Sequence, residues 1–301
     1  MKKSEKTYLT AIGYAMAAAV FYALNVPCSK LLLQDVAPTY MAAFLYLGAG
    51  LGVGFLYIFR LFRHGKEDIS QRLSRKDLPY TVGMVLLDIV APILLMTGVK
   101  LGTSANASLL GNFEIVATTV IALLLFREKV SRRLWGAIGL ITLSSMILSF
   151  GGKESLSFSV GSLFVLGATV CWGLENNCTR SISDKSTYQI VTIKGFGSGT
   201  GALLVAYFLR ETPPEPGKIP PVLLLGFVAY GLSIFTFIRA QKTLGAARTS
   251  AYYAVAPFIG AFLSFLLLKE SLTAAYAVAL IVMIAGTALA VADNFSMKHT
   301  E

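Results

Sequence analysis

Charge is scarce in this chain. Asp, Glu, Lys and Arg supply 14% of its 301 residues, against about 25% in an ordinary soluble domain, so there are too few polar groups to clothe a water-facing surface. Histidine is scarcer still. His64 and His299 are the only two and both lie outside the long apolar runs, so Ser198 in Gly197-Ser-Gly199 has no base and a serine protease within a membrane is excluded. Asp88 is the only aspartate inside an apolar run, which removes an aspartyl pair as well. No Gly-x-x-x-x-Gly-Lys-Ser/Thr loop occurs, so this chain alone is not expected to use ATP. The three cysteines, Cys28, Cys171 and Cys178, sit in or beside apolar segments, where a small buried thiol is the common case. They imply neither a disulfide nor a metal site, and no cofactor is expected.

What is abundant is apolar length. Hydrophobic residues make up 55% of the chain, the mean hydropathy is +0.68, and ten runs approach or exceed the ~20 residues a helix needs to cross ~30 Å of hydrocarbon. They cover 8–33, 39–59, 78–99, 103–125, 134–150, 160–179, 188–209, 219–240, 247–268 and 274–292. The predicted fold is an all-α membrane protein with ten transmembrane helices, and the lipid bilayer is its solvent. The opening Lys2, Lys3 and Lys6 imitate a signal peptide, but the apolar stretch behind them continues and nine more follow, so it reads as the first span.

The net charge of +10 raises the question of nucleic acid, and the placement of the basic residues answers it. With the N-terminus inside, 19 of the 26 Lys and Arg fall on cytoplasmic segments and only six on the other side; the richest loop carries Arg60, Arg63, Lys66, Arg72, Arg75 and Lys76. Basic loops stay inside, so both termini are expected in the cytoplasm of a cell (inner) membrane and no nucleic-acid partner is expected. The longest outer link holds Pro213, Pro214 and Pro216 and reads as a stiff, irregular connection.

The two halves resemble each other in the same order. Phe21-Tyr-Ala-Leu-Asn-Val-Pro-Cys-Ser-Lys30 parallels Cys171-Trp-Gly-Leu-Glu-Asn-Asn-Cys-Thr-Arg180; Gly48, Gly50, Gly52 and Gly54 parallel Gly195, Gly197, Gly199 and Gly201; Leu124-Leu-Phe-Arg-Glu128 parallels Leu266-Leu-Leu-Lys-Glu270. Five spans per half, 1–152 and 153–301, force the second repeat to enter the membrane inverted, a design that supports alternating access about a midplane site. The glycine rows are read first as close-packing faces and second as surfaces on which helices slide. Pro27, Pro92 and Pro257 are expected to kink their helices and free carbonyls.

These features carry a family resemblance. Leu110-Gly-Asn-Phe-Glu-Ile-Val116 followed by Phe126-Arg-Glu-Lys-Val-Ser131, and Tyr253-Ala-Val-Ala-Pro257 followed by Leu268-Lys-Glu-Ser-Leu-Thr273, resemble the EamA-type drug/metabolite transporter superfamily over nearly the whole chain. Glu128 and Glu270 match that family's glutamate closing the fourth and ninth spans, while Glu114 and Pro257 each match one half of its Glu-Pro element. Ile115 stands where the first repeat often has proline. The resemblance implies a secondary transporter exporting small metabolites, and the family includes exporters of amino acids, other metabolites and toxic compounds as well as some importers.

An ionisable group at mid-bilayer costs about 2.5–3.5 kcal/mol and is a functional candidate by default. Asp88 and Glu114 lie near the centres of their spans, whereas Glu175 and Lys194 are displaced toward the cytoplasmic ends and share a depth. Glu175 and Lys194 read either as a neutralising ion pair or as a gate for a zwitterion. Asp88 and Glu114 read either as hydrogen-bonded to neighbours such as Asn112 and Thr118 or as carboxyls over which a proton and a cationic substrate compete, which would couple efflux to proton entry. Tyr14, Tyr22, Trp172, Tyr252 and Tyr253 offer ring faces to a cationic or amino-bearing solute, and Asn25, the repeat counterpart of Glu175, offers an amide. The predicted substrate-binding set is thus Asp88, Glu114, Asn112, Glu175, Lys194, Asn25, Tyr22, Trp172 and Tyr253, acting on a small-molecule substrate by alternating access with proton coupling or exchange. A passive channel for small polar solutes is the alternative, and both a monomer and a homodimer remain open.

Overall fold

The computed structural model describes residues 3–65, 71–126, 131–149, 159–244, 249, 252–270 and 273–296. Among them all regular structure is helical, the outcome expected where lipid offers the backbone no hydrogen-bond partner and each segment must satisfy its own. In chain order the helices are α1 (Lys3–Ala23), α2 (Asn25–Leu32), α3 (Pro38–His64), α4 (Leu78–Leu101), α5 (Ser104–Leu110), α6 (Phe113–Phe126), α7 (Arg132–Ser149), α8 (Val160–Ser181), α9 (Thr187–Phe208), α10 (Ile219–Gly226), α11 (Ser233–Leu244), α12 (Ala256–Leu268) and α13 (Ala274–Ser296). A π-helical stretch, Phe227–Leu232, joins α10 to α11. Helix occupies each of the ten predicted runs, and six helical stretches are long and apolar enough to cross a membrane by length and composition. Phe55, Leu86, Phe262 and Ile281 are among the large apolar side chains left exposed, the inverse of a water-soluble surface. Glu128, the 152/153 boundary and His299 lie outside the described residues.

Four of the ten runs are interrupted, which the hydropathy pattern does not predict. Pro27 has no N–H to offer the carbonyl of Ala23 and its ring crowds that oxygen; α1 ends at Ala23 and α2 begins after Leu24. Pro257 acts likewise on Tyr253, and a turn at Ala254 and Val255 precedes α12. Gly111 and Asn112 separate α5 from α6, and the π stretch interrupts the eighth run. Pro27 and Pro257 therefore start new helices where kinks are expected, while Pro92 stays inside α4 and only deprives the carbonyl of Asp88 of its helical donor.

Helices at equivalent places in the two halves face each other. α3 packs on α9, α5 on α12 and α7 on α13, while α1 packs on α11 and α4 on α8. The first of these contacts is antiparallel: a Cβ placed at Gly54 would stand 3.6 Å from Thr192, one at Gly50 2.9 Å from the backbone nitrogen of Phe196, and one at Gly199 2.7 Å from Leu47. Each glycine row has two working faces. Gly50 and Gly54 face α9 while Gly48 and Gly52 face Leu223 and Phe227; Gly195 and Gly199 face α3 while Gly197 and Gly201 face Val85 and Ile89 of α4. The close-packing role is the one the contacts support.

Gly48→Ala tests it. The new Cβ would collide with the carbonyl oxygen of Leu223, and overpacking of this kind costs about 1–3 kcal/mol, so the apparent melting temperature in detergent should fall. Gly13→Ala, whose Cβ meets nothing within 4 Å, should leave it unchanged or raise it.

Two charged side chains fasten the joint between α4 and α5. Lys30 donates to the carbonyls of Val99 (2.7 Å), Lys100 (3.1 Å) and Gly102 (2.6 Å) at the end of α4. Glu270, from the other half, accepts from the backbone N–H groups of Ser104 (2.8 Å) and Ala105 (2.9 Å) at the start of α5. Each charge opposes the helix dipole it meets.

Candidate functional site

The interruptions and the buried charges meet. Asn25 opens α2, Tyr253 precedes the turn before α12, and Tyr230 lies in the π stretch. Asn25 donates to the Tyr230 hydroxyl (3.2 Å) and accepts from Ser29 (3.1 Å). Tyr22 is a hub, with ring centroids 6.4 Å from Trp172, 6.1 Å from Tyr230 and 5.8 Å from Tyr253. Tyr230 continues to Tyr46 at 4.9 Å. Irregular backbone within a membrane is tolerated where protein or a cavity covers it, and here aromatic and amide side chains supply the cover.

Beside this cluster one ammonium serves two carboxylates. Lys194 of α9 lies 3.1 Å from Asp88 of α4 and 2.9 Å from Glu175 of α8. All three are buried, Asp88 completely, and Thr179 donates a hydrogen bond to Glu175. Two acids against one base leave a formal charge of −1 unless a proton or another cation joins them. Asn176, the residue after Glu175, donates to Glu114 at 2.6 Å, so α8 touches both groups of acids.

The predicted residues are thus brought together differently from expectation. The Glu175–Lys194 pair forms and includes Asp88, whose carboxylate reaches the same ammonium. Glu114 stands at the start of α6, just past the break in the fourth run. Its partner is Asn176, not Asn112 or Thr118. Asn112 is buried with its amide nitrogen lacking an acceptor. Tyr14 lines a separate cavity, and Tyr252 packs near Ala11 and Leu244. Ser198 donates to the carbonyl of Val85 (3.2 Å). Tyr46, Tyr230 and Asn176 were missed: a tyrosine in an apolar run reads as packing, and only knowledge of which helix faces which reveals its partners. Among the described residues no group of three or more His, Cys, Asp and Glu could hold a metal ion.

The site has a sealed and an open side. Asp88, Glu175, Lys194, Asn25, Tyr46 and Tyr230 are buried, whereas Glu114, Asn176, Tyr22 and Tyr253 are only partly so. Two cavities, of about 600 Å³ and 320 Å³, are lined by other residues than Asp88 and Glu114. Asp88 is turned to Lys194.

A sequence model of the EamA-like transporter family matches this chain twice, at residues 9–150 and 159–292. The chain belongs to the EamA-like transporter family. It is a multi-pass membrane transporter with the two-repeat pattern of that family. It is 25% identical over 288 residues to a protein named "Uncharacterized transporter" from Methanothermobacter thermautotrophicus, covering 90% of this chain and 83% of the other. It is 21% identical over 271 residues to "Uncharacterized transporter YyaM" of Bacillus subtilis, covering 86% and 85%. A solved crystal structure superposes with a TM-score of 0.68 over 93% of this EamA transporter and 95% of that chain at 16% identity, a likeness of fold alone.

Proposed function

We propose that this EamA transporter is a secondary carrier that exports a small amino-bearing solute by alternating access, with a proton as the counter-moving ion. Its ten membrane-crossing paths form two inverted halves, 1–152 and 153–301, and both termini lie in the cytoplasm beneath the inner membrane. Antiparallel packing of equivalent helices supports the inversion, and the excess of Lys and Arg on alternate loops supports the sidedness.

The observation that carries the reading is the shared ammonium of Lys194. Asp88 comes from the first half and Glu175 and Lys194 from the second, so the ion cluster bridges the two bodies that must move. Its unbalanced negative charge is satisfied by one proton or one substrate cation, and competition between the two is coupling. Glu114, partly exposed beside Tyr22 and Tyr253, is the acid an ammonium group reaches first, with ring faces worth about 0.5–2 kcal/mol each. At the outer end Lys218 pairs with Asp35 (2.7 Å) and Thr39 donates to Glu211 (2.8 Å). Both links join the halves, and the Lys218–Asp35 pair is solvent-exposed and screened by salt, so it can break during transport.

Counterflow tests the reading. Proteoliposomes are loaded with unlabelled amino acids and diamines, and single radiolabelled compounds are added outside in trace amounts. A carrier accumulates its tracer above equilibrium; a passive channel equilibrates it with or without internal load; a protein that moves none of them behaves as empty liposomes do.

A further inference from the structure

The 320 Å³ cavity lies among the start of α5, the end of α7, α12 and the start of α13. This is the end of the bundle where Lys218 pairs with Asp35, the outer end on the proposed sidedness. Its size is near the lower limit of ligand pockets, about 300–1,000 Å³, so its guest is small. Helix α5 stands between it and the break that precedes Glu114, which sets it apart from the ion cluster.

The walls are tied to one another. Thr273 accepts from the backbone N–H of Tyr276 (3.1 Å) at the start of α13, and Thr103 accepts from that of Asn106 (3.3 Å) at the start of α5. The Asn106 amide reaches the carbonyl of Leu148 in α7 (3.4 Å), and the hydroxyls of Ser104 and Ser264 share a hydrogen bond between α5 and α12 (2.8 Å). The rings of Phe265 and Tyr276 meet edge to face with centroids 5.0 Å apart.

Two groups in this wall have hydrogen-bonding capacity to spare. The hydroxyl of Tyr276, a residue only 4% exposed, has no partner in the protein, and Tyr276 lines the cavity. A buried hydroxyl in that state is unfavourable unless a guest meets it. Glu270, also in the lining, accepts one backbone N–H on each oxygen, from Ser104 and Ala105. A carboxylate has about four lone-pair sites, so each oxygen can take a further donor. Lys30 does not supply it: its ammonium donates to the carbonyls of Val99, Lys100 and Gly102, and it does not line the cavity. None of the described lining residues is basic, and Ile147, Leu148 and Phe265 give the cavity an apolar flank. Spare carboxylate lone pairs beside an unpartnered hydroxyl oxygen select a guest rich in N–H donors.

We propose that this cavity binds a primary ammonium group on a short carbon chain, held by the Glu270 carboxylate and the Tyr276 hydroxyl with the chain against Phe265 and Leu148. A free amine and the headgroup of an aminophospholipid both offer that chemistry. The site goes beyond the carrier reading and is separate from the acids that the carrier uses.

The test is a binding measurement, independent of flux. The full chain in phosphatidylcholine nanodiscs is titrated with ethanolamine at constant pH and ionic strength, with choline, a cation that has no N–H donor, as the control. Thermal unfolding is followed, since a ligand of the folded state raises its midpoint. Ethanolamine should raise the midpoint saturably and choline should not. Tyr276→Phe removes a hydroxyl but no hydrogen bond within the protein, so its ligand-free midpoint should equal or exceed that of the wild type. Its apparent affinity for ethanolamine should fall about three- to tenfold, the range for one lost hydrogen bond. Glu270→Gln should weaken binding about tenfold or more, as expected for loss of a charge-assisted contact, and should lower the ligand-free midpoint because the charge at the start of α5 is lost.

In discs containing phosphatidylethanolamine, a raised wild-type midpoint with a suppressed ethanolamine response, both weaker in Tyr276→Phe, would identify the lipid headgroup as the guest. An ethanolamine response unchanged by that lipid would identify a free amine, and either result supports the site. No ethanolamine response in phosphatidylcholine, an equal response to choline, or equal ethanolamine affinity in wild type and Tyr276→Phe would overturn it, the last because binding at the buried acids alone does not involve Tyr276. Counterflow can fail while ethanolamine binding persists, so the carrier reading and this site are separately exposed to failure.

Discussion

Lys194→Met should abolish transport and cost the fold about 3–5 kcal/mol, the penalty for leaving buried charge without its partner. The ammonium is the only cation within ion-pair distance of Asp88 or Glu175 among the described residues, and neither carboxylate can turn to water from its present place. The double variant Lys194→Met/Asp88→Asn removes the base together with one acid. It should therefore recover much of the lost stability while remaining inactive, a non-additivity expected of groups in direct contact. Thermal unfolding in detergent reads the first effect and counterflow the second. A Lys194→Met protein as stable and as active as the wild type would show that the triad matters to neither.

Glu114→Gln should act in the opposite manner, on function and not on stability. Glutamine keeps the size of the side chain and an oxygen that can accept from Asn176, so the 2.6 Å contact has a neutral replacement and the melting temperature should change little. It carries no titratable proton and no charge for an ammonium group. Solute accumulation driven by a pH gradient should fall about tenfold or more, equivalent to about 1.4 kcal/mol in a rate, and the remaining flux should lose its dependence on pH. Asp88→Asn should likewise reduce transport in inserted, folded protein. Wild-type rates and pH dependence in both variants would remove proton coupling from the account.

The two predictions differ because the acids occupy different halves of one site, and that division was not legible in the sequence. Hydropathy located helix in each of ten apolar runs, six of the helical stretches being long and apolar enough to cross a membrane, since the length of an apolar run is a property of the chain alone. The glycine rows gave the close approach of α3 and α9, because small residues at helical spacing define a face. Rotation about each helix axis is different. Whether Asp88 meets Lys194, 106 positions away, is decided by how α4, α8 and α9 assemble. For the same reason Asn176 was hidden beside Glu175: adjacent residues on a helix point about 100° apart, and nothing local says that one serves Lys194 and the other Glu114.

The interruptions were half legible. Pro27 and Pro257 are visible in the sequence, and the carbonyls they deprive, those of Ala23 and Tyr253, follow from the four-residue spacing of helical hydrogen bonds. The break at Gly111 and Asn112 and the π stretch at Phe227–Leu232 have no comparable local cause. Both carry a residue of the cluster or its surroundings, Asn112 in one and Tyr230 in the other, which is where helices of regular geometry are least suited to aim side chains inward.

Alternating access about the bridging ion cluster is the central claim, and distances between spin labels at the two ends of the bundle test it without knowledge of the solute. After Cys28, Cys171 and Cys178 are replaced by serine, one label pair is placed at Gln34 and Glu215 on the outer end, and another at Arg63 and Thr243 across the cytoplasmic mouth. In lipid nanodiscs each pair should give a short and a long distance population. Lowering the pH should raise the long population at one end by as much as it lowers that at the other. A single, pH-independent distance at each end, or both ends widening together, would contradict the carrier mechanism.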